Sequence, residues 1–165
     1  MDLTFIKQIA SHIGMFIPFI KRHIYSKEKF LNDIKITSGQ SYAIEYYRSS
    51  NPPILRIWLQ LINLSPYLDV EIDTITIRQL SIKADSNPCI FQEKDKKLGE
   101  KFVRKSVGSV LITFELSSKQ VEMMNSIKQL TNVEANLWAK IFIESSLYKK
   151  EKVDIHLESI PCKIS

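Results

Sequence analysis

Residues 55–82 read LRIWLQLINLSPYLDVEIDTITIRQLSI. Leu55, Ile57, Leu59 and Leu61 alternate with Arg56, Trp58, Gln60 and Ile62. A period of two marks a strand that buries one face. Asn63-Leu64-Ser65-Pro66 breaks the alternation, which predicts two adjacent strands joined at that point. In the second, Leu68, Val70 and Ile72 alternate with Asp69, Glu71 and Asp73. The apolar phase then flips at Ile75 and Ile77 and again at Leu80 and Ile82. A strand changes its buried face only by inserting an extra residue. Bulges or bends are therefore expected near Asp73–Ile75 and at Gln79, or else two strands with a short break.

Working outward, Tyr42–Arg48 reads as a strand ended by Asn51-Pro52-Pro53. Downstream, Cys89–Glu93 reads as a short strand and Lys94–Leu98, KDKKL, as a charged loop closed by Gly99. Lys101–Lys105 reads as another short strand and Val107–Leu116 as a long one. Ser117 and Gln120 stand at capping-box spacing and open a helix over Ser117–Leu130. Its Met123 and Met124 read as core filling. Asn132–Glu144 alternates again, and Val153–Leu157 with Ile160–Ile164 closes the chain as a last strand. Many short strands with regular turns and one late helix predict a mainly β fold, an antiparallel β-sandwich over residues 42–164.

Ahead of it, residues 1–31 form an N-terminal segment and connector. Over Leu3–Ile24, Ile6, Ile9, Ile13, Phe16, Ile17 and Ile20 fall on one helical stripe, with Lys7, Lys21 and Arg22 roughly opposite. This predicts an amphipathic helix, kinked at Pro18. Lys7, Gln8, Ser11 and His12 interrupt the apolar run and disfavour a membrane span. Were it to span, the basic flank after Ile20 would leave the domain in the cytoplasm. Three uses remain open: a helix lying in a membrane interface, a helix packed on the domain, or an oligomerisation helix. Ser26–Ser41 is a polar connector whose Phe30, Leu31, Ile34 and Ile36 continue the helix or start a strand.

The chain has 165 residues and a net charge of +5, enough for one domain with a real core. The basic excess gathers in Met1–Leu31 and in Lys94–Lys105. Both read first as solvated faces and second as attraction to anionic lipid or nucleic acid. Cys89 and Cys162 show no CxxC spacing and read as free thiols of a reducing compartment, with a single bridge as the alternative. No secretory signal pattern precedes the domain, so a cytoplasmic location, peripheral to or anchored at a membrane, is expected.

Little chemistry is visible. No glycine-rich phosphate loop occurs. His12, His23 and His156 have no cysteine or carboxylate at ligand spacing, so no metal and no cofactor is expected. Asp69, Glu71 and Asp73 share one strand face and read as a solvated row rather than a cation site. No serine stands in a nucleophile context, so no catalytic residue and no enzyme is expected. Trp58, Trp138 and Phe142 on outward faces could stack bases, but only Phe102 accompanies the basic stretch, and nucleic acid is disfavoured.

Ile57-Trp58-Leu59-Gln60-Leu61-Ile62-Asn63, then Ser65-Pro66-Tyr67, then Val70 through Leu80 resembles the signature of the water-stress and hypersensitive-response (WHy) domain. This is the atypical, folded class of late-embryogenesis-abundant proteins (LEA type 2). In this chain Leu64 and Ser65 separate the asparagine from the proline that usually follows it directly. The resemblance covers about Tyr42–Ile164, including the later strand, helix and closing strands. It implies an immunoglobulin- or fibronectin-like sandwich, no catalytic residues, and a role in desiccation or stress protection. It also implies frequent tethering to membranes by an N-terminal segment. The expected partners are thus an anionic membrane surface or a partner protein, a second copy of the chain included.

Overall fold

The computed structural model describes residues 25–39, 43–83, 89–127 and 133–165. A short helix, α1 (Lys27–Asn32), leads into β1 (Ile34–Ser38). There follow β2 (Ile44–Tyr47), β3 (Ile54–Asn63), β4 (Val70–Lys83), β5 (Cys89–Phe102) and β6 (Ser106–Glu115). A second helix, α2 (Ser118–Asn125), precedes β7 (Val133–Glu144) and β8 (Glu151–Ile164). The Ser117 capping box is present: Ser117 Oγ accepts from Gln120 N, and the Gln120 side chain accepts from Ser117 N. Ser26 caps α1 by accepting from Lys29 N. The sheet thus begins at Ile34, within the stretch that reads as a connector, which forms a helix and then a strand.

β3 is the hub of one half. β6 pairs along its whole length, while β2 and β1 share its other edge, opposite Ile54–Ile57 and Leu59–Asn63 respectively. β4 is the hub of the other half, between β5 and β7. β8 pairs antiparallel with β7, and its final residues Cys162–Ile164 run parallel to Ile44–Tyr46 of β2. That one parallel contact joins the halves into a sheet ordered β1-β3-β2-β8-β7-β4-β5, with β6 on β3. All other pairs are antiparallel.

One face of this sheet is apolar along β3, β4 and β7. Leu55, Ile57, Leu59 and Leu61 of β3 are buried, as are Ile72, Ile75, Ile77 and Leu80 of β4 and Leu137, Ile141 and Ile143 of β7. The two short helices among the described residues do not cover so much surface. The sheet folds over instead, so that the halves face each other across a shared core. Phe91 of β5 and Phe114 of β6 meet with ring centroids 4.8 Å apart although their strands do not pair. Phe102 closes over Gly108 so tightly that a Cβ there would lie 2.5 Å from its ring.

The phase flips in β4 are bulges. Against β7, Asp73 and Arg78 are the extra residues, so Ile72 and Ile75, and likewise Ile77 and Leu80, all point inward. Two expectations are corrected. β3 and β4 are not hairpin partners, because the chain crosses from one half of the sheet to the other between them. Cys89–Phe102 is one strand, not two strands around a charged loop. Ladder bonds use the backbone, and on an edge strand both faces at Lys94–Lys97 stay in water. Lysines there also discourage pairing with a foreign strand.

The crossing is held by Asn63, the last residue of β3, which has no exposed surface. Its Nδ2 donates to Leu68 O at 3.0 Å and Val103 O at 3.1 Å, with Phe102 O at 3.4 Å. Its Oδ1 accepts from Ser65 N at 3.1 Å. Ser65 Oγ accepts from Leu68 N at 2.9 Å and Tyr67 N at 3.3 Å. Two buried polar side chains thereby bind the inward backbone groups of the turn.

Two measurements follow from this architecture. Deleting Asp73 leaves Val70-Glu-Ile-Thr-Ile-Thr-Ile, an unbroken alternation, and is expected to keep a cooperative denaturant transition. Deleting Thr76 pushes Ile75 or Ile77 out of the core, a loss of about 1.5–3 kcal/mol per side chain in the same titration. Separately, Asn63→Ala removes the amide's bonds to the buried Leu68 carbonyl and Ser65 N–H, while the Val103 carbonyl keeps Ser106 Oγ as a donor. It is expected to lower unfolding free energy by roughly 3 kcal/mol or more, and Asn63→Asp by more still.

Candidate functional site

The stripe Ile6, Ile9, Ile13, Phe16, Ile17 and Ile20 and the basic residues Lys7, Lys21 and Arg22 lie outside the described residues. The structure does describe the joint where that segment enters the domain. Tyr25 is buried. Its hydroxyl donates to Asp33 Oδ2 at 2.5 Å, and its carbonyl accepts from Tyr148 Oη at 2.5 Å. Its ring makes edge contacts with Phe30 at 6.4 Å and Tyr67 at 5.4 Å, and Phe30 stacks on Tyr148 at 5.2 Å. The Ser145–Tyr148 turn holds Tyr148 in place: Ser145 N donates to Tyr148 O at 2.8 Å, and Tyr148 N to Ser145 Oγ at 3.0 Å. Lys27 pairs with Glu151 of β8 at 2.6 Å. Residue 25 is therefore fixed from α1, from the β3–β4 crossing and from the β7–β8 turn together. Reading Ser26–Ser41 as a connector misses this cluster. The available signal was Ser26 as a helix cap directly ahead of Phe30.

Burial, and next the hydrogen bond to Asp33, push the Tyr25 phenol up to about 12. Burial likewise pushes the Cys162 thiol up to about 12. Cys162 lies on the inner face and His156 on the outer, so the fold keeps them apart. His156 is exposed, 3.5 Å from Glu158 and opposite Trp138 in the ladder.

The acidic row is divided among separate partners. Asp69 Oδ1 accepts from Arg104 N at 2.9 Å, Glu71 pairs with Lys101 at 3.4 Å, and Asp73 Oδ2 accepts from Thr74 Oγ1 at 2.9 Å. Among the described residues no group of three or more His, Cys, Asp or Glu side chains comes together as a metal site. Trp58 is half-buried and donates Nε1 to Glu45 at 3.0 Å. Trp138 stands exposed in an open depression of about 580 Å³ with Arg78, Glu93 and Lys140, and Arg78 is already bound to Glu93. Met124 is buried and Met123 packs against the core. No helix among the described residues is long and apolar enough to cross a membrane.

No family model matches the sequence, and no curated protein matches it significantly. Solved structures match this chain at low identity. One is the solution structure of a protein described as a candidate late-embryogenesis-abundant (LEA) protein. It is 11% identical, covers 94% of this chain and 89% of that one, and has a TM-score of 0.47. Another is the crystal structure of a candidate ApaA protein from Bordetella pertussis, 12% identical, covering 78% of this chain and 92% of that one, TM-score 0.42. The structural-genomics target SoR45 is 10% identical over 77% of this chain and 83% of that one, TM-score 0.43. The first carries the label of the class that the Leu55–Leu80 pattern resembles. Likeness at these levels assigns no function.

The two raised groups set an alkaline limit. An unfolded tyrosine loses its proton near pH 10 and an unfolded cysteine near 8.5, while both are retained in the fold to about 12. The native state thus binds more protons across that window, and stability falls as pH rises through it. Below it the contribution is complete. Denaturant midpoints taken from pH 8 to 12 are expected to decline least steeply above pH 10 in Tyr25→Phe. An unchanged slope would exclude Tyr25 as the source.

Proposed function

We propose that the chain is a non-enzymatic β-domain held at an anionic membrane surface by residues 3–24, with a binding or stress-protective role. The fixed joint at Tyr25 carries this reading. A terminal segment with a long isoleucine stripe and basic flanks enters the domain at a residue locked by two hydrogen bonds and a ring cluster. Lipid contact by that segment would therefore set the position of the domain. Ile6, Ile9, Ile13, Phe16, Ile17 and Ile20 insert below the head groups, while Lys7, Lys21 and Arg22 meet lipid phosphates. Each basic residue near such a surface contributes about 1 kcal/mol, weakened by salt. Among the described residues the buried polar side chains Asn63, Ser65 and Ser145 serve backbone groups of turns.

Flotation of the full-length chain with phosphatidylserine-containing vesicles tests this. The wild type is expected to rise with the vesicles. A chain carrying Ile9→Asp, Ile13→Asp and Phe16→Asp is expected to stay behind while keeping its denaturant midpoint. Equal flotation of both would remove the anchoring role. If wild type stays behind and light scattering shows a dimer that the triple variant dissolves, the segment instead docks on a second copy.

A further inference from the structure

The joint at Tyr25 lies at one end of the folded sheet. The Leu64–Asp69 crossing, the Val103–Lys105 turn and the Ser145–Lys150 turn all emerge there. That end is unusual in its apolar exposure. Leu64 is 53% exposed, Tyr67 57% and Val103 63%, and each sits on a turn rather than on a sheet face. They are not on loose loops. Lys105 N donates to Ser65 O at 3.2 Å, Arg104 N to Asp69 Oδ1 at 2.9 Å and Leu64 N to Asp33 O at 2.8 Å. Asn63 binds the carbonyls of Leu68 and Val103 from below. The three tips are held at fixed spacing, and Tyr67 rests on the Tyr25 ring.

The charges at this end favour an anionic partner. Glu71, Glu144 and Glu151 are each paired with a lysine, and Asp33 and Asp69 accept hydrogen bonds. Arg104, Lys105 and Lys150 are exposed and have no ion pair among the described residues; Glu28 and Glu100 are the acids there in the same condition, so the free charge of this end is still positive. Arg104 and Lys105 directly follow Val103 in the chain, so its turn carries an apolar tip and two cations together. That pattern suits insertion into a bilayer interface, where apolar tips enter the acyl boundary and cations stay with phosphates. A dry protein interface has a contiguous apolar centre. The amphipathic segment is continuous with this end through Tyr25.

We propose that this end of the domain is a second lipid contact. Leu64, Tyr67 and Val103 insert into an anionic bilayer, and Arg104, Lys105 and Lys150 bind its phosphates. The inference rests on the membrane reading above and adds to it the face and orientation of the domain.

The test uses the full-length chain with Cys89→Ser and a single added cysteine carrying an environment-sensitive fluorophore. Buried Cys162 is left unlabelled in the folded protein. The added cysteine is Val103→Cys or, as a control at the far end beyond β6, Lys119→Cys. With phosphatidylserine-containing vesicles the emission at Val103 is expected to rise and shift to the blue and to be quenched by brominated lipid. The Lys119 probe and vesicles of phosphatidylcholine alone are expected to give no change. Charge reversal at Arg104, Lys105 or Lys150 is expected to weaken vesicle binding about five-fold each. A silent Val103 probe on a vesicle-bound chain overturns the proposal and leaves the N-terminal anchor standing. A responsive probe in a chain carrying Ile9→Asp, Ile13→Asp and Phe16→Asp keeps the proposal and removes that anchor. A response that depends on protein concentration without lipid assigns the tips to a second copy and overturns the proposal.

Discussion

The amide of Asn63 is the interaction on which the two halves of the sheet depend. β3 ends there with every inward residue buried, and β4 begins a few residues later in the opposite half. Such a crossing passes over the end of the core, where its inward backbone groups are shielded from water while Leu64 and Tyr67 stay exposed. Ser65 and Leu68 are indeed buried within it. One planar group with two donors and an acceptor matches that need: it reaches the crossing itself and the turn after β5 from a single position. Aspartate would present oxygen to oxygen, and an aliphatic residue would give the Leu68 carbonyl and the Ser65 N–H no such bond. The same amide therefore closes the core and fixes the turn that carries Val103.

Most of the sheet was legible because its signal is local. Alternation in residues 55–82 located β3 and β4, and the flips at Ile75 and Leu80 located two bulges to within a residue. A buried face leaves no freedom in that arithmetic. What the sequence could not reveal was pairing. Two alternating stretches separated by a turn look the same whether they pair with each other or part into separate halves. The difference lies in what Asn63 meets, and Val103 is forty residues away in the chain. β5 escaped for another reason. Strand patterns are visible only where one face is buried, and Lys94–Lys97 has both faces in water, joined to β4 by backbone alone.

The candidate site divides in the same way. The isoleucine stripe of residues 3–24 is a periodic, local pattern visible in the sequence, and the helix expected from it lies outside the described residues. Leu64, Tyr67 and Val103 carry no such pattern. Each is a single apolar residue in a polar turn, and scattered exposed apolar residues are ordinary on any surface. They acquire meaning only because the crossing and the β5–β6 turn are stitched side by side, next to the residue at which the N-terminal segment arrives.

That juxtaposition bears on orientation. An amphipathic segment alone fixes a domain near a membrane but not its attitude, since residues between lipid and fold can act as a swivel. Tyr25 moves the first possible swivel out of the domain, because its ring, hydroxyl and carbonyl are all engaged. Tips on the same end would then touch the surface at high effective concentration, so even weak individual contacts would hold one attitude. In the proposed attitude the turn end would face lipid, the outer sheet face bearing Trp138, Arg78 and Lys140 would point sideways, and the β6–α2 end would point away. Whatever a domain so placed binds or protects would be met on those surfaces. Among them the depression around Trp138 is the one that presents an aromatic side chain to solvent beside unspent basic charge at Lys140.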